Sequence, residues 1–176
     1  MHRKGRVKIV AAITAAAVLT VTLILLLWLK GFFLPSWIRW NKDSKDAVPA
    51  GVSELLGSSW LVQDSLLFDI NGDETDECIL LVWKRGSFGP HRPTWVKHDE
   101  IGFSQHIFIY SDRRGAEDKE EDWHALWMSS KLGLKAADFS EGKEISGTGR
   151  HSLDIIAPDG TVTRWGWLSW GLTRVE

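Results

Sequence analysis

The chain has 176 residues, 44% hydrophobic and 25% charged, a composition that fits one globular domain of ordinary size and excludes a low-complexity or fibrous chain. Its charge is unevenly spread: residues 1–40 hold Arg3, Lys4, Arg6, Lys8, Lys30 and Arg39 and no acid, while residues 41–176 hold the other 15 of 21 bases and all 23 acids, a net charge of −8. An acidic region without a basic stripe excludes nucleic acid as the partner, because neutralising phosphates requires clustered Lys and Arg.

Residues 1–8 read as a basic tail. From Ile9 to Leu29 run 21 residues without a charge, which at about 1.5 Å per helical residue match the roughly 30 Å hydrocarbon core of a bilayer. The far end, Leu25-Leu-Leu-Trp-Leu-Lys-Gly-Phe-Phe33, is bulky where a signal peptidase requires small side chains, so the segment is expected to be an uncleaved signal anchor. The flanking Arg3, Lys4, Arg6 and Lys8 place the N-terminus in the cytoplasm by the positive-inside rule, and the rest of the chain outside the cell membrane as a single-pass protein. Residues 30–52 follow as a juxtamembrane segment and polar stalk. Trp28, Phe32, Phe33, Trp37 and Trp40 stand at the level of an interfacial aromatic belt, and Pro49 and Gly51 break the stalk.

Residues 53–176 carry short runs rich in β-branched and aromatic residues: 60–68, 79–83, 94–97, 106–110, 123–128, 152–157 and 162–168. Gly, Pro, Asp or Ser clusters bound each, which predicts a mainly β fold, a compact antiparallel domain built as a propeller-like blade, a single sheet or a barrel. Between the last two runs, Ala157-Pro-Asp-Gly-Thr161 predicts a hairpin reversal, with Pro158 presetting φ and Gly160 supplying φ > 0. The mixed charge run from Asp112 to Asp122 reads as a solvated loop.

Between the first two runs lies Asp69-Ile-Asn-Gly-Asp-Glu-Thr-Asp-Glu77. Side-chain oxygens at Asp69, Asn71 and Asp73 fall on alternate residues, with a further carboxylate at Glu77. Such spacing lets a turning backbone aim successive oxygens at a Ca²⁺ ion, a hard cation that takes six to eight of them at about 2.3–2.6 Å.

This loop and its flanking strands, residues 61–84, resemble the FG-GAP or VCBS type of extracellular repeat, whose blades place a D-x-[ND]-G-D-G-x-x-[DE] loop between two strands. The resemblance implies a calcium site with Asp69, Asn71, Asp73 and Glu77 as side-chain ligands and the Thr75 carbonyl as a backbone one. Where the family has Gly after the third ligand, this chain has Glu74. A β-carbon there costs on the order of 1 kcal/mol if φ is positive, which implies a weakened site that external calcium, near 10⁻⁴–10⁻³ M, still fills. The acidic spacing occurs once in the chain, which predicts a single calcium-pinned strand connection in place of a repeated propeller. Stretches 82–95, 104–109 and 126–130 are also faintly similar to accessory domains of exported capsule and poly-γ-glutamate-type bacterial proteins.

Three further groups bear on chemistry. Cys78 is the only cysteine; no internal disulfide forms, and a small apolar role at the head of a strand outweighs a catalytic thiol. His91, His98, His106, His124 and His151 lack zinc-ligand spacing, and no nucleophile motif is present, so an enzyme, including a metal-dependent hydrolase, is not expected. Trp165, Trp167 and Trp170 cluster near the C-terminus, with the first two on one strand face. They either fill a core that has no disulfides to support it or form a platform for stacking cell-wall glycan. The sequence therefore points to a membrane-anchored, calcium-structured β module that binds or assists a protein or glycan of the bacterial envelope.

Overall fold

The computed structural model describes residues 3–29, 34–113 and 122–175 and divides into two units, Met1–Pro35 and Ser36–Glu176. The first holds helix α1 (Arg3–Leu29). Its large apolar side chains from Ile13 to Leu26 stand at least half exposed. Among the described residues no helix is long and apolar enough to cross a membrane; the side chains described in α1 begin at Ala12, inside the uncharged run that starts at Ile9. The basic tail's side chains, Phe32, Phe33 and residues 114–121 of the charge run lie outside the described residues.

The second unit is mainly β, as the short runs predict. Strands β1 (Leu61–Phe68), β2 (Glu77–Arg85), β3 (Phe103–Asp112) and β4 (Trp123–Met128) form one antiparallel sheet in that order. A second sheet follows with β5 (Asp138–Glu144), β6 (His151–Ile156), β7 (Val162–Leu168) and β8 (Gly171–Arg174), again in chain order. Residues opposite each other across an antiparallel pair share a face, so the registers assign the layers. Ile79 and Leu81 of β2, with Ile107 and Ile109 of β3, face Phe139, Leu153, Ile155 and Leu172 of the second sheet. On the other face Cys78, Leu80, Val82, Phe108 and Tyr110 are covered by Val48, Val52 and Trp60. Being buried on both faces is why β2 reads as an unbroken apolar run and not as an alternation.

The two sheets are tied by a buried polar knot. A bulge in β1 at Gln63 lets its amide accept from Trp83 Nε1 at 2.7 Å and from Gln105 Nε2 at 2.8 Å while donating to Ala137 O at 2.8 Å. Gln105 accepts from Ala136 N at 2.9 Å. The chain thus leaves the first sheet for the second through Ala136 and Ala137, whose buried backbone groups bond Gln63, Gln105 and Ile156 O.

Several features of the architecture differ from the sequence expectation. Residues 94–97 are no strand but part of a turn closed by Val96 N to Pro93 O at 3.0 Å. The supposed stalk instead carries α2 (Ser44–Ala47) and α3 (Ala50–Leu55), with Val52 wholly buried in the second core. β5 and β8 have no counterpart among the expected runs. The reversal at Pro158 forms as anticipated, with Gly160 at φ 87° and Gly160 N donating to Ala157 O at 2.9 Å.

Candidate functional site

Phe68 ends β1 and Glu77 opens β2, and the pair face each other in register. The intervening loop is wound on Asp69. Its Oδ1 accepts Gly72 N at 2.6 Å and Asp73 N at 3.2 Å, and its Oδ2 accepts Glu74 N at 2.8 Å. Asp73 Oδ1 accepts Thr75 N at 3.0 Å. Ile70 between them is fully buried in the inter-sheet core and fixes the loop to the body. To complete the turn the chain takes positive φ at Gly72 (83°) and at Glu74 (68°), the one non-glycine residue to do so among those described.

Glu77 closes the loop from the sheet side. Its carboxylate is wholly buried, accepting Ile70 N at 3.2 Å and Asn71 Nδ2 at 2.7 Å, and it shares a hydrogen bond with Ser111. The same Asn71 nitrogen reaches Asp73 Oδ2 at 3.0 Å. Burial first, then the neighbouring charges of Asp73 and Asp69, push the Glu77 carboxyl up to about 7. Two carboxylates, Asp73 and Glu77, thus converge on one amide with Asp69 beside them, and no ion pair reaches any of the three from the described residues.

The structure brings Asp69, Asn71, Asp73 and Glu77 together in one hydrogen-bonded ring, with Thr75 joined to it through its amide. Among the described residues no group of three or more His, Cys, Asp or Glu gathers as metal ligands. The reason is local: both Asp69 oxygens face backbone N–H groups, and Asn71 presents nitrogen to the centre. The residue types nevertheless fit a hard cation. A fully buried carboxylate beside two others lacks a positive partner, and a half-turn of the Asn71 amide replaces its nitrogen with an oxygen aimed at the same point.

Sequence reasoning missed three neighbours of the loop. Arg150 lies over it, so that a β-carbon on Gly72 would stand 2.8 Å from Arg150 Cγ, while Arg150 Nη1 donates to Trp167 O at 3.1 Å. Ser111 stands between Glu77 and His124, its partner in register on β4. Ser111 and His124 lie on β3 and β4 and Arg150 just before β6, distant in the chain, where no spacing connects them to the loop. Of the tryptophans, Trp165 and Trp167 pack half-buried against the inter-sheet core, and Trp170 is 70% exposed at the β7–β8 turn.

At the other end of β2 a second polar cluster holds the long connection 86–102. Asp99 Oδ1 accepts Ser87 N at 2.8 Å and Ser87 Oγ at 2.7 Å, and the Ser87 amide above all holds its carboxyl down to about 2. Lys84 donates to Arg85 O at 2.9 Å and Phe88 O at 2.7 Å, with its ammonium pulled below the ordinary lysine range by burial. His106 is wholly buried, bonded to Ser104 Oγ at 2.7 Å and Ser129 O at 3.1 Å, and burial lowers its pKa. These bonds hold the base of the connection to β2 and β3.

Comparison with protein-family models, with curated proteins and with solved structures finds no match to this chain.

Proposed function

We propose that this chain is a single-pass membrane protein whose extracytoplasmic β domain is structured by one calcium ion and serves as a binding or accessory module at the bacterial cell envelope. The observation that carries the calcium reading is Glu77: a buried carboxylate beside Asp69 and Asp73, with no ion pair to any of the three among the described residues. A divalent ion there would be held by Asp69, Asn71, Asp73, Glu77 and the Thr75 carbonyl. It would join the β1–β2 connection to the sheet from which Glu77 rises. Anchoring is supported by α1, whose 21-residue uncharged run follows four basic residues and whose described large apolar side chains from Ile13 to Leu26 are at least half exposed.

The ligand class that the exposed surface favours second is cell-wall glycan, through Trp170, whose indole stands free of the core that occupies Trp165 and Trp167.

The test uses the full chain in lipid nanodiscs. Replacing millimolar calcium with EGTA should lower the melting temperature by about 5 °C, as expected for loss of an ion bound roughly tenfold below its concentration. Asp73→Ala should abolish that difference. A melting curve indifferent to EGTA rejects the calcium reading.

A further inference from the structure

The two connections of β2 leave the first sheet from opposite ends, 69–76 from one and 86–102 from the other. The chain joins the second unit at the latter end. Trp37 packs against Trp83, two residues before β2 finishes, with ring centroids 6.0 Å apart. Only residues 30–36 separate the end of α1 from Trp37, a stretch that at about 3.3–3.6 Å per residue reaches no more than roughly 25 Å.

At this end stands the most exposed large apolar side chain of the body. Trp95 is 82% exposed and Ile101 73%. A single exposed apolar residue needs no explanation, but these two stand on a loop whose base is pinned. Gly86 N donates to Gly102 O at 3.1 Å, Arg85 Nη1 donates to Ile101 O at 2.8 Å, and Lys131 N donates to Ser87 O at 2.7 Å. The Asp99 and Lys84 bonds described above fix it further. The loop is held with its tryptophan outward.

Its charge is sorted in the same sense. Residues 86–98 contain Arg92, Lys97, His91 and His98 and no acid, within a region whose net charge is −8. The two acids that follow are occupied by the protein: Asp99 by Ser87, and Glu100 by Lys131 at 2.9 Å. Arg92 and Lys97 are exposed, and neither has an ion-pair partner among the described residues.

We infer that the loop tip 91–101 is a lipid-contacting element that seats the domain on the outer leaflet, Trp95 and Ile101 entering the headgroup layer and Arg92 and Lys97 engaging anionic headgroups. An indole flanked by cations is suited to that boundary, where one part is apolar and the other wet and negatively charged. The covalent link of residues 30–36 limits how far this end of the sheet can lie from the end of α1. The inference rests on the anchoring reading.

The experiment places an NBD dye on Thr94→Cys in the full chain, reconstituted in phosphatidylcholine vesicles with and without phosphatidylglycerol. Cys78 is buried, its thiol pushed up to about 12, and stays unlabelled. With phosphatidylglycerol the dye at 94 should emit at least about twofold more strongly than the same dye at the exposed Thr161→Cys, as expected for transfer into the interfacial layer. Trp95→Ala, or Arg92 and Lys97 both changed to Ser, should erase the difference while leaving the melting temperature unchanged. Equal, water-like emission at both sites in protein that survives a carbonate wash overturns the loop inference alone. Protein that washes off the vesicles defeats the anchor, and the inference with it. Emission that rises with soluble wall polysaccharide and not with lipid reassigns the tip to glycan and overturns the lipid contact.

Discussion

At one end of β2 the chain reverses over residues 69–76 through a loop whose carboxylates face backbone amides and one another; at the other it reverses over 86–102 through a loop whose acids are matched from within. Asp99 has the Ser87 amide and hydroxyl, with Lys84 beside it, whereas Glu77 has Asp69 and Asp73 for neighbours. The contrast shows in their titration: the Asp99 carboxyl is held down to about 2, and that of Glu77 is driven up to about 7. A loop that satisfies its own charge is complete as folded and can turn its cations outward. A loop that buries Glu77 beside Asp69 and Asp73 gives that carboxyl no ion pair among the described residues, and burial and repulsion together drive it up.

The sharpest way to break the self-sufficient end is Gly86→Ala. Gly86 has φ 88°, and a β-carbon there collides with the Asp99 carboxylate. Left-handed strain of about 1–2 kcal/mol combines with the loss of one or two Asp99 hydrogen bonds at about 1 kcal/mol each, so the variant should lose about 3 kcal/mol in urea denaturation. The loss should be indifferent to calcium. A calcium-dependent loss would mean that the two ends are coupled, and the contrast between them would fail.

Protonation should separate the ends by sign. In the absence of calcium, Glu77 has a folded pKa near 7 against an unperturbed 4.5, so the unfolded chain releases its proton first as pH rises. Stability is then highest below about pH 4.5 and falls as pH climbs toward 7, by at most about 3 kcal/mol at this site. His106 runs the other way: burial lowers its pKa below the ordinary 6.5, so its contribution is present above that value and is lost as pH falls beneath it. The groups facing it are Lys84, which lowers it further, and Asp99, which opposes. Glu77→Gln should remove the decline toward neutral pH seen in EGTA and leave the acid-side loss intact, as read by denaturation midpoints across that range. A variant with both limbs unchanged would show that Glu77 is balanced in some other way.

What could be read from the chain follows from how local its causes are. β2 and β3 were legible because burial on both faces imposes long apolar runs, and the 157–161 reversal because Pro158 and Gly160 act within their own turn. β5 was not: Asp138-Phe-Ser-Glu-Gly-Lys-Glu144 buries only Phe139 of its side chains and otherwise faces water, so its composition is that of a loop. Trp95 misled in the opposite direction, an aromatic residue in a strand-like run that pairs with nothing. The ring of Asp69, Asn71, Asp73 and Glu77 was legible from spacing alone, since its members lie within nine residues of one another. Arg150, Ser111 and His124 were not, because only the register of the sheets and the packing of one upon the other bring them to the loop.

Glu74 gives the smallest effect and the finest discrimination within the acidic end. At φ 68° it bears a left-handed cost of about 1–2 kcal/mol, which glycine removes while giving back about 0.5–1 kcal/mol through its freer unfolded chain. Glu74→Gly should therefore gain roughly 0.5–1 kcal/mol in calcium and hold or tighten the ion, since the backbone N–H that bonds Asp69 is retained. Glu74→Ala is the informative companion: it deletes the carboxylate but keeps the β-carbon. If strain governs, alanine gains nothing. If alanine gains as much as glycine in EGTA, the defect lies instead in a fourth negative charge crowded against Asp69, Asp73 and Glu77, and calcium should erase that gain by supplying the charge the loop lacks.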